Sequence, residues 1–202
     1  MYIGRFVVFG QTPAGEPYVG YRVSSRSFPN RRIVTGEDRA MVLPTASAPP
    51  SDNPYISYNC ARILGDTIVV GNGSQVDPII DKVSIGYGLR DAIALSLLAL
   101  DYEHDAYHTP RVVAALDGAG AGYLGIITED KLLVSAVTVA PGTALLLATY
   151  ECTSPTPLLL AGATADELVD SLMACEYELP VAGLVAMPVD DEFVLAARSL
   201  AA

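Results

Sequence analysis

The chain of 202 residues is poor in cysteine, poor in basic residues and without long apolar runs. Its three cysteines, Cys60, Cys152 and Cys175, are odd in number and far apart, so neither a disulfide framework nor a CxxC metal or redox motif can be drawn. Buried free thiols are expected instead. The longest weakly charged apolar stretch, Ala92 to Leu100, falls well short of the roughly 18 to 20 residues that a membrane-crossing helix needs. Met1-Tyr2-Ile3-Gly4-Arg5 has neither the basic and apolar regions nor the cleavage site of a secretory signal, so a cytoplasmic location and no membrane partner are expected. Twelve basic residues stand against 23 acidic ones, and the net charge of −11 argues against a nucleic-acid partner, because phosphate backbones demand clustered Lys and Arg.

What is present is a core-forming composition. Hydrophobic residues make up 51% and charged ones 17%, too apolar for a disordered chain. A single domain spanning residues 1–202 is long enough to bury roughly 70% of its unfolded surface. Charge is unevenly spread. Residues 1–62 hold seven basic and four acidic residues, a net of +3, while residues 63–202 hold five and 19, a net of −14. Arg22, Arg26, Arg31, Arg32 and Arg39 fall within 18 positions, which suggests a small anionic ligand.

Runs rich in β-branched and aromatic residues predict strands at Tyr2 to Phe9, Tyr18 to Ser24, Ile33 to Thr35, Ala40 to Leu43, Tyr55 to Leu64 and Thr67 to Val70. Asp77 to Val83 reads as a short helix, and Leu89 to Asp101 as a stronger one, so apolar around its circumference that burial of most of it is expected. Strands follow at Arg111 to Leu116, Gly122 to Thr128, Lys131 to Val139 and Thr143 to Glu151. A helix from Thr164 to Cys175 opens on a T-x-x-E capping box, and strands at Val181 to Met187 and Phe193 to Ala197 end the chain. This order is α+β, with two mainly antiparallel sheets stacked face to face and helices outside.

In Tyr21-Arg22-Val23-Ser24-Ser25-Arg26-Ser27-Phe28-Pro29-Asn30-Arg31-Arg32, arginines and serines gather at the end of a strand. Guanidinium forks and hydroxyls are what a phosphate monoester needs, and unpaired arginines in so apolar a stretch would be costly. Gly71-Asn72-Gly73-Ser74 reads either as a loop whose N–H groups face a ligand or as an Asn-Gly turn. If the Leu89 helix continued, Asp101, His104, Asp105 and His108 would share one face as a divalent-metal constellation; a solvated helix end is the plainer reading. Asn59, in the strand with Tyr58, needs a partner if buried, structural or ligand. Glu151 ends an apolar strand either as a tuned carboxyl or as its first solvated residue.

Together YIGRFVVFG, YRVSSRSFPNRRIV, YNCARI, GNGSQVDP and DYEHDAYHTPR resemble the archaeal-type IMP cyclohydrolases over essentially the whole chain. That resemblance implies ring closure of 5-formamidoimidazole-4-carboxamide ribonucleotide, a purine nucleotide precursor, to inosine monophosphate with loss of water. It also implies a four-layer αββα sandwich like that of the N-terminal nucleophile hydrolases. Met1-Tyr2 supplies no Cys, Ser or Thr nucleophile, so autoprocessing amide hydrolysis is set aside. By resemblance the catalytic positions are Arg22, Tyr58, Glu103 and Glu151, the first two as oxyanion donors and the carboxyls for proton transfer. Ser25, Arg26, Asn30 and Arg31 are expected at the phosphate and ribose, with Asn59, Asn72, Thr109 and Arg111 lining the rest. A dehydration demands no metal, redox centre or nucleotide cofactor. Self-association is expected from the sheet content and apolar composition. The competing expectations are a purine-nucleotide-binding module without catalysis and a metal-dependent hydrolase built on Asp101, His104, Asp105 and His108.

Overall fold

The computed structural model describes residues 1–190 and 192–200. The strands are β1 (Phe6–Gln11), β2 (Pro17–Ser24), β3 (Arg31–Thr35), β4 (Arg39–Pro44), β5 (Tyr58–Leu64), β6 (Thr67–Gly71), β7 (Arg111–Leu116), β8 (Gly122–Ile127), β9 (Leu132–Val137), β10 (Ala144–Ala148), β11 (Thr156–Leu158), β12 (Pro180–Val189) and β13 (Glu192–Ser199). The helices are α1 (Val76–Ser84), α2 (Leu89–Leu100) and α3 (Ala165–Ala174).

The side-chain alternation of each strand decides the layering. In β1, Val7 and Phe9 enter a central core with Val19, Tyr21, Val112, Ala114 and Leu124, while Phe6 and Val8 point the other way, against Leu168 and Leu172 of α3. In β7, Val112, Ala114 and Leu116 face the same central core, and Val113 and Ala115 lie under Ile79, Ile93 and Leu97 of the other two helices. Strands covered on both faces read as continuous apolar runs, and that is how these strands read. One six-stranded sheet runs β11-β10-β1-β2-β12-β13 and a seven-stranded sheet runs β3-β4-β5-β6-β7-β8-β9, with antiparallel pairing throughout the described ladders. The result is the αββα sandwich: α1 and α2, the seven-stranded sheet, the six-stranded sheet, α3.

Gly122 lets the sheets approach, since a Cβ there would stand 2.3 Å from the Phe9 ring. Helix α3 begins with the expected capping box: Thr164 accepts from the Glu167 N–H, and Glu167 reaches back to the Thr164 N–H.

Four expectations change. The first strand begins at Phe6, because Gly4 adopts φ +72° and breaks the extended run. The strand containing Tyr58 begins at that residue, leaving Tyr55 in a loop. Three-residue β11 was not foreseen; it contains Pro157, which confines it to the edge beside β10. Helix α2 stops at Leu100, where Asp101 turns to φ +58°, and Leu95 and Leu98 on its outer face are exposed rather than buried. Among the described residues no helix is long and apolar enough to cross a membrane.

Candidate active site

The registers Phe6↔Arg22 and Phe6↔Ala148 place the start of β1 and the ends of β2 and β10 at one end of the six-stranded sheet. The seven-stranded sheet contributes the loop between α2 and β7 at the same end. Between them lies a cleft of about 290 Å³. Its walls come from Tyr2 and Arg5, from the turn after β2, from the loop before β5, from Glu103, Asp105 and Thr109 of the α2–β7 loop, and from Tyr150 and Glu151 beyond β10.

Arg5 and Glu103 together form part of the wall. Arg5 Nη2 donates to Glu103 Oε2 at 2.6 Å, and Nη1 donates to Oε1 at 3.0 Å and to the Asn72 carbonyl at 2.9 Å. The side chains are only 11% and 2% exposed, so a two-point ion pair replaces the water both charges have lost. Burial alone would lower the Arg5 pKa, but Glu103, with Tyr58 and Tyr21, outweighs it and holds the guanidinium well above its ordinary value. Among the described residues Nε–H and one Nη2 proton of Arg5 have no hydrogen-bond partner, and Arg5 lines the cleft.

Beneath this pair lies a rigid floor. Asn72 donates to the Pro110 carbonyl and accepts from the Val112 N–H and Gln75 Nε2, each at 2.8 Å. Arg111 donates to the Asp101 carbonyl and to Gln75 Oε1 at 2.8 and 3.1 Å. Gly73 is required here: a Cβ would stand 2.8 Å from Arg111 Nη1 and 3.3 Å from Glu103 Oε1.

The part of the wall contributed by the turn after β2 is cationic. Ser25, Arg26, Ser27 and Arg31 face the cleft. Arg31 is 4% exposed, its Nε committed to the Phe28 carbonyl at 3.0 Å; among the described residues no carboxylate pairs with it. A nearly buried guanidinium without an acidic partner calls for an anion. Arg26 lies 4.0 Å over the Tyr2 ring, which stacks on Tyr150 at 6.0 Å.

Of the expected residues, the cleft brings together Ser25, Arg26, Arg31, Glu103, Thr109 and Glu151. The others stand elsewhere. Arg22 emerges on the opposite face of β2, fully buried, and donates to the carbonyls of Leu172, Cys175 and Tyr177 at 3.1, 2.9 and 2.5 Å, so it caps the end of α3. Burial lowers its pKa. Tyr58 is turned into the central core, its hydroxyl 2.6 Å from that of Tyr21, behind the cleft lining. The side chain of Asn59 donates to Asp77 of α1, on the outer face of the seven-stranded sheet. The Asn30 carbonyl accepts from Thr45, outside the lining, and Asn72 and Arg111 belong to the floor rather than the wall.

The metal constellation is not formed. The segment after Leu100 is a loop; His108 pairs with Glu129 at 2.9 Å, while His104 stands 3.9 Å from Asp101. Among the described residues no three His, Cys, Asp or Glu side chains gather as a metal site. Sequence reasoning missed Arg5 and Tyr150, and singled out Asp105 only as a candidate metal ligand. The argument used for Arg22, a lone arginine in an apolar run, applies equally to Arg5 in Ile3-Gly4-Arg5-Phe6-Val7 and would have found it.

Several curated proteins are similar to this chain over most of its length. The IMP cyclohydrolase of Methanocella arvoryzae is 45% identical, with 96% of each chain covered. That of Natronomonas pharaonis is 50% identical over 92% of this chain and 93% of its own, and that of Methanococcus aeolicus is 42% identical over 90% and 92%. The profile described as IMP cyclohydrolase-like protein matches residues 2–192, and the chain belongs to that family.

Proposed function

We propose that the cleft binds 5-formamidoimidazole-4-carboxamide ribonucleotide and closes it to inosine monophosphate with release of water. The observation that carries this reading is a cleft, in a chain of this family, lined both by the Arg5–Glu103 pair and by a buried cation, Arg31, that has no carboxylate partner among the described residues. Ser25, Arg26, Ser27 and Arg31 hold the phosphate. The ring then lies inward, where fixing both ends brings the carboxamide nitrogen to the formyl carbon and supplies much of the acceleration.

As the N–C bond forms, negative charge grows on the formyl oxygen, and the unpartnered N–H groups of Arg5 stabilise it in the place assigned by resemblance to Arg22 and Tyr58. Both oxygens of Glu103 grip Arg5, so this carboxyl orients the donor. Glu151, exposed on the rim, takes a proton from the attacking nitrogen and delivers it to the departing oxygen; the second proton of the water comes from the formamide nitrogen as the C–O bond breaks and the ring C=N bond forms. The nucleophile is the substrate's own nitrogen, so an N-terminal-nucleophile-like sandwich serves without a protein nucleophile. This reading also takes the protein as a cytoplasmic homo-oligomer acting on a nucleotide.

The purified chain, supplied with the formamido ribonucleotide and no added cofactor, is expected to produce the ultraviolet absorbance of inosine monophosphate. Tight binding of inosine monophosphate without turnover would turn the assignment into that of a binding module.

A further inference from the structure

Tyr150 has no role in the scheme above, yet its hydroxyl is held in a chain of defined direction. It lies 2.9 Å from Thr109 Oγ1, which lies 2.7 Å from Asp105 Oδ2. Asp105 Oδ1 accepts the N–H groups of Tyr107 and Thr109 at 3.1 and 2.9 Å. An ionised carboxylate only accepts, so the single hydroxyl proton of Thr109 goes to Asp105. Thr109 can then only accept from Tyr150, and the Tyr150 proton is committed to Thr109. What Tyr150 Oη offers the cleft is lone pairs. Burial alone would raise the Asp105 pKa, but the hydrogen bonds from Thr109 and Tyr107 outweigh it and hold the carboxyl below its ordinary value, so the direction persists at neutral pH. Burial likewise raises the Tyr150 phenol, which stays protonated.

We infer that Tyr150 is a specificity-determining acceptor for the N–H of the substrate carboxamide, the group retained as N1–H of the product, and that Thr109 and Asp105 are positioning residues that fix its polarity. The inference rests on the nucleotide reading proposed above. A purine whose N1 is an acceptor would set lone pair against lone pair at this point, and the cleft discriminates against it.

The test is calorimetric titration of the full chain with inosine 5′-monophosphate and with purine riboside 5′-monophosphate, whose N1 carries no hydrogen. The wild type is expected to favour the inosine nucleotide by about tenfold or more, from a hydrogen bond gained in one complex and a mismatch in the other. In Tyr150→Phe that ratio falls severalfold, chiefly through weaker inosine nucleotide binding; comparing ratios between proteins cancels the contribution of the exocyclic oxygen. Thr109→Ser, which keeps the hydroxyl, retains the ratio, and Thr109→Val loses it. Asp105→Asn, able to donate to Thr109 and reverse the chain, lowers it too. A purely structural role would weaken both nucleotides equally, and an unchanged ratio in folded Tyr150→Phe overturns this inference while leaving the proposed reaction standing. Failure of the wild type to bind either nucleotide overturns both.

Discussion

Arg5 meets Glu103 through a two-point fork, a geometry that lysine's single ammonium cannot reproduce. Arg5→Lys keeps the charge but not the fork or the outward donors, so kcat is expected to fall by about 10²-fold, the order seen when one oxyanion donor is removed, with a smaller change in KM. Steady-state kinetics on the folded variant checks this. That the turn after β2 is cationic and lines the cleft was legible in the sequence, because serines and arginines crowd into one short segment. Arg22 belongs to the same motif but misled, because strand alternation carries it to the opposite face from Tyr21, against a helix some 150 residues away in the chain. Its length and charge look the same in sequence whether it meets an anion or a row of carbonyls.

At the scale of elements, α3 depends on a side chain outside itself and the α2–β7 loop on one of its own. The last turn of α3 has no basic residue of its own, and Arg22 from β2 supplies the donors its carbonyls need. Arg22→Lys is expected to destabilise the protein by about 1–3 kcal/mol in urea denaturation, because buried acceptors are left unpaired, while kcat of the folded enzyme stays unchanged. The α2–β7 loop is organised by Asp105, whose folded pKa lies below its unfolded value. Its contribution is complete above the unfolded value of about 3.9 and is lost as pH falls through the folded one. The stability gap between wild type and Asp105→Asn is thus expected to be constant near neutrality and to shrink below about pH 4 in pH-dependent thermal unfolding. The capping box of α3 and most strands could be read from local pattern. The end of α2 could not, because a left-handed turn at Asp101 leaves no signature in an aspartate, and with it went the histidine constellation.

For the molecule as a whole, the two-sheet sandwich followed from the order of apolar runs, but its outer surface did not. An almost wholly apolar helix was expected to be covered, and α2 instead shows Leu98 at 63% exposure and Leu95 at 42%, with Ile85 nearby in sequence at 75%. A homo-oligomer closed over this face predicts that Leu98→Glu shifts the sedimentation coefficient to that of a folded monomer. An unshifted coefficient would place the contact elsewhere. The uneven charge also finds its place in three dimensions: cations from the first third of the chain line the cleft mouth, and the acidic remainder supplies Glu103, Asp105 and Glu151.

The Arg5–Glu103 pair joins partners 98 residues apart, one beside each sheet. The cleft is therefore a seam, its lining drawn from Tyr2 through to Glu151 by turns from both sheets. No shorter contiguous piece of the chain carries the whole lining, so it cannot be lifted out as a loop and grafted onto another scaffold. Its chemistry is heritable only with the greater part of the sandwich.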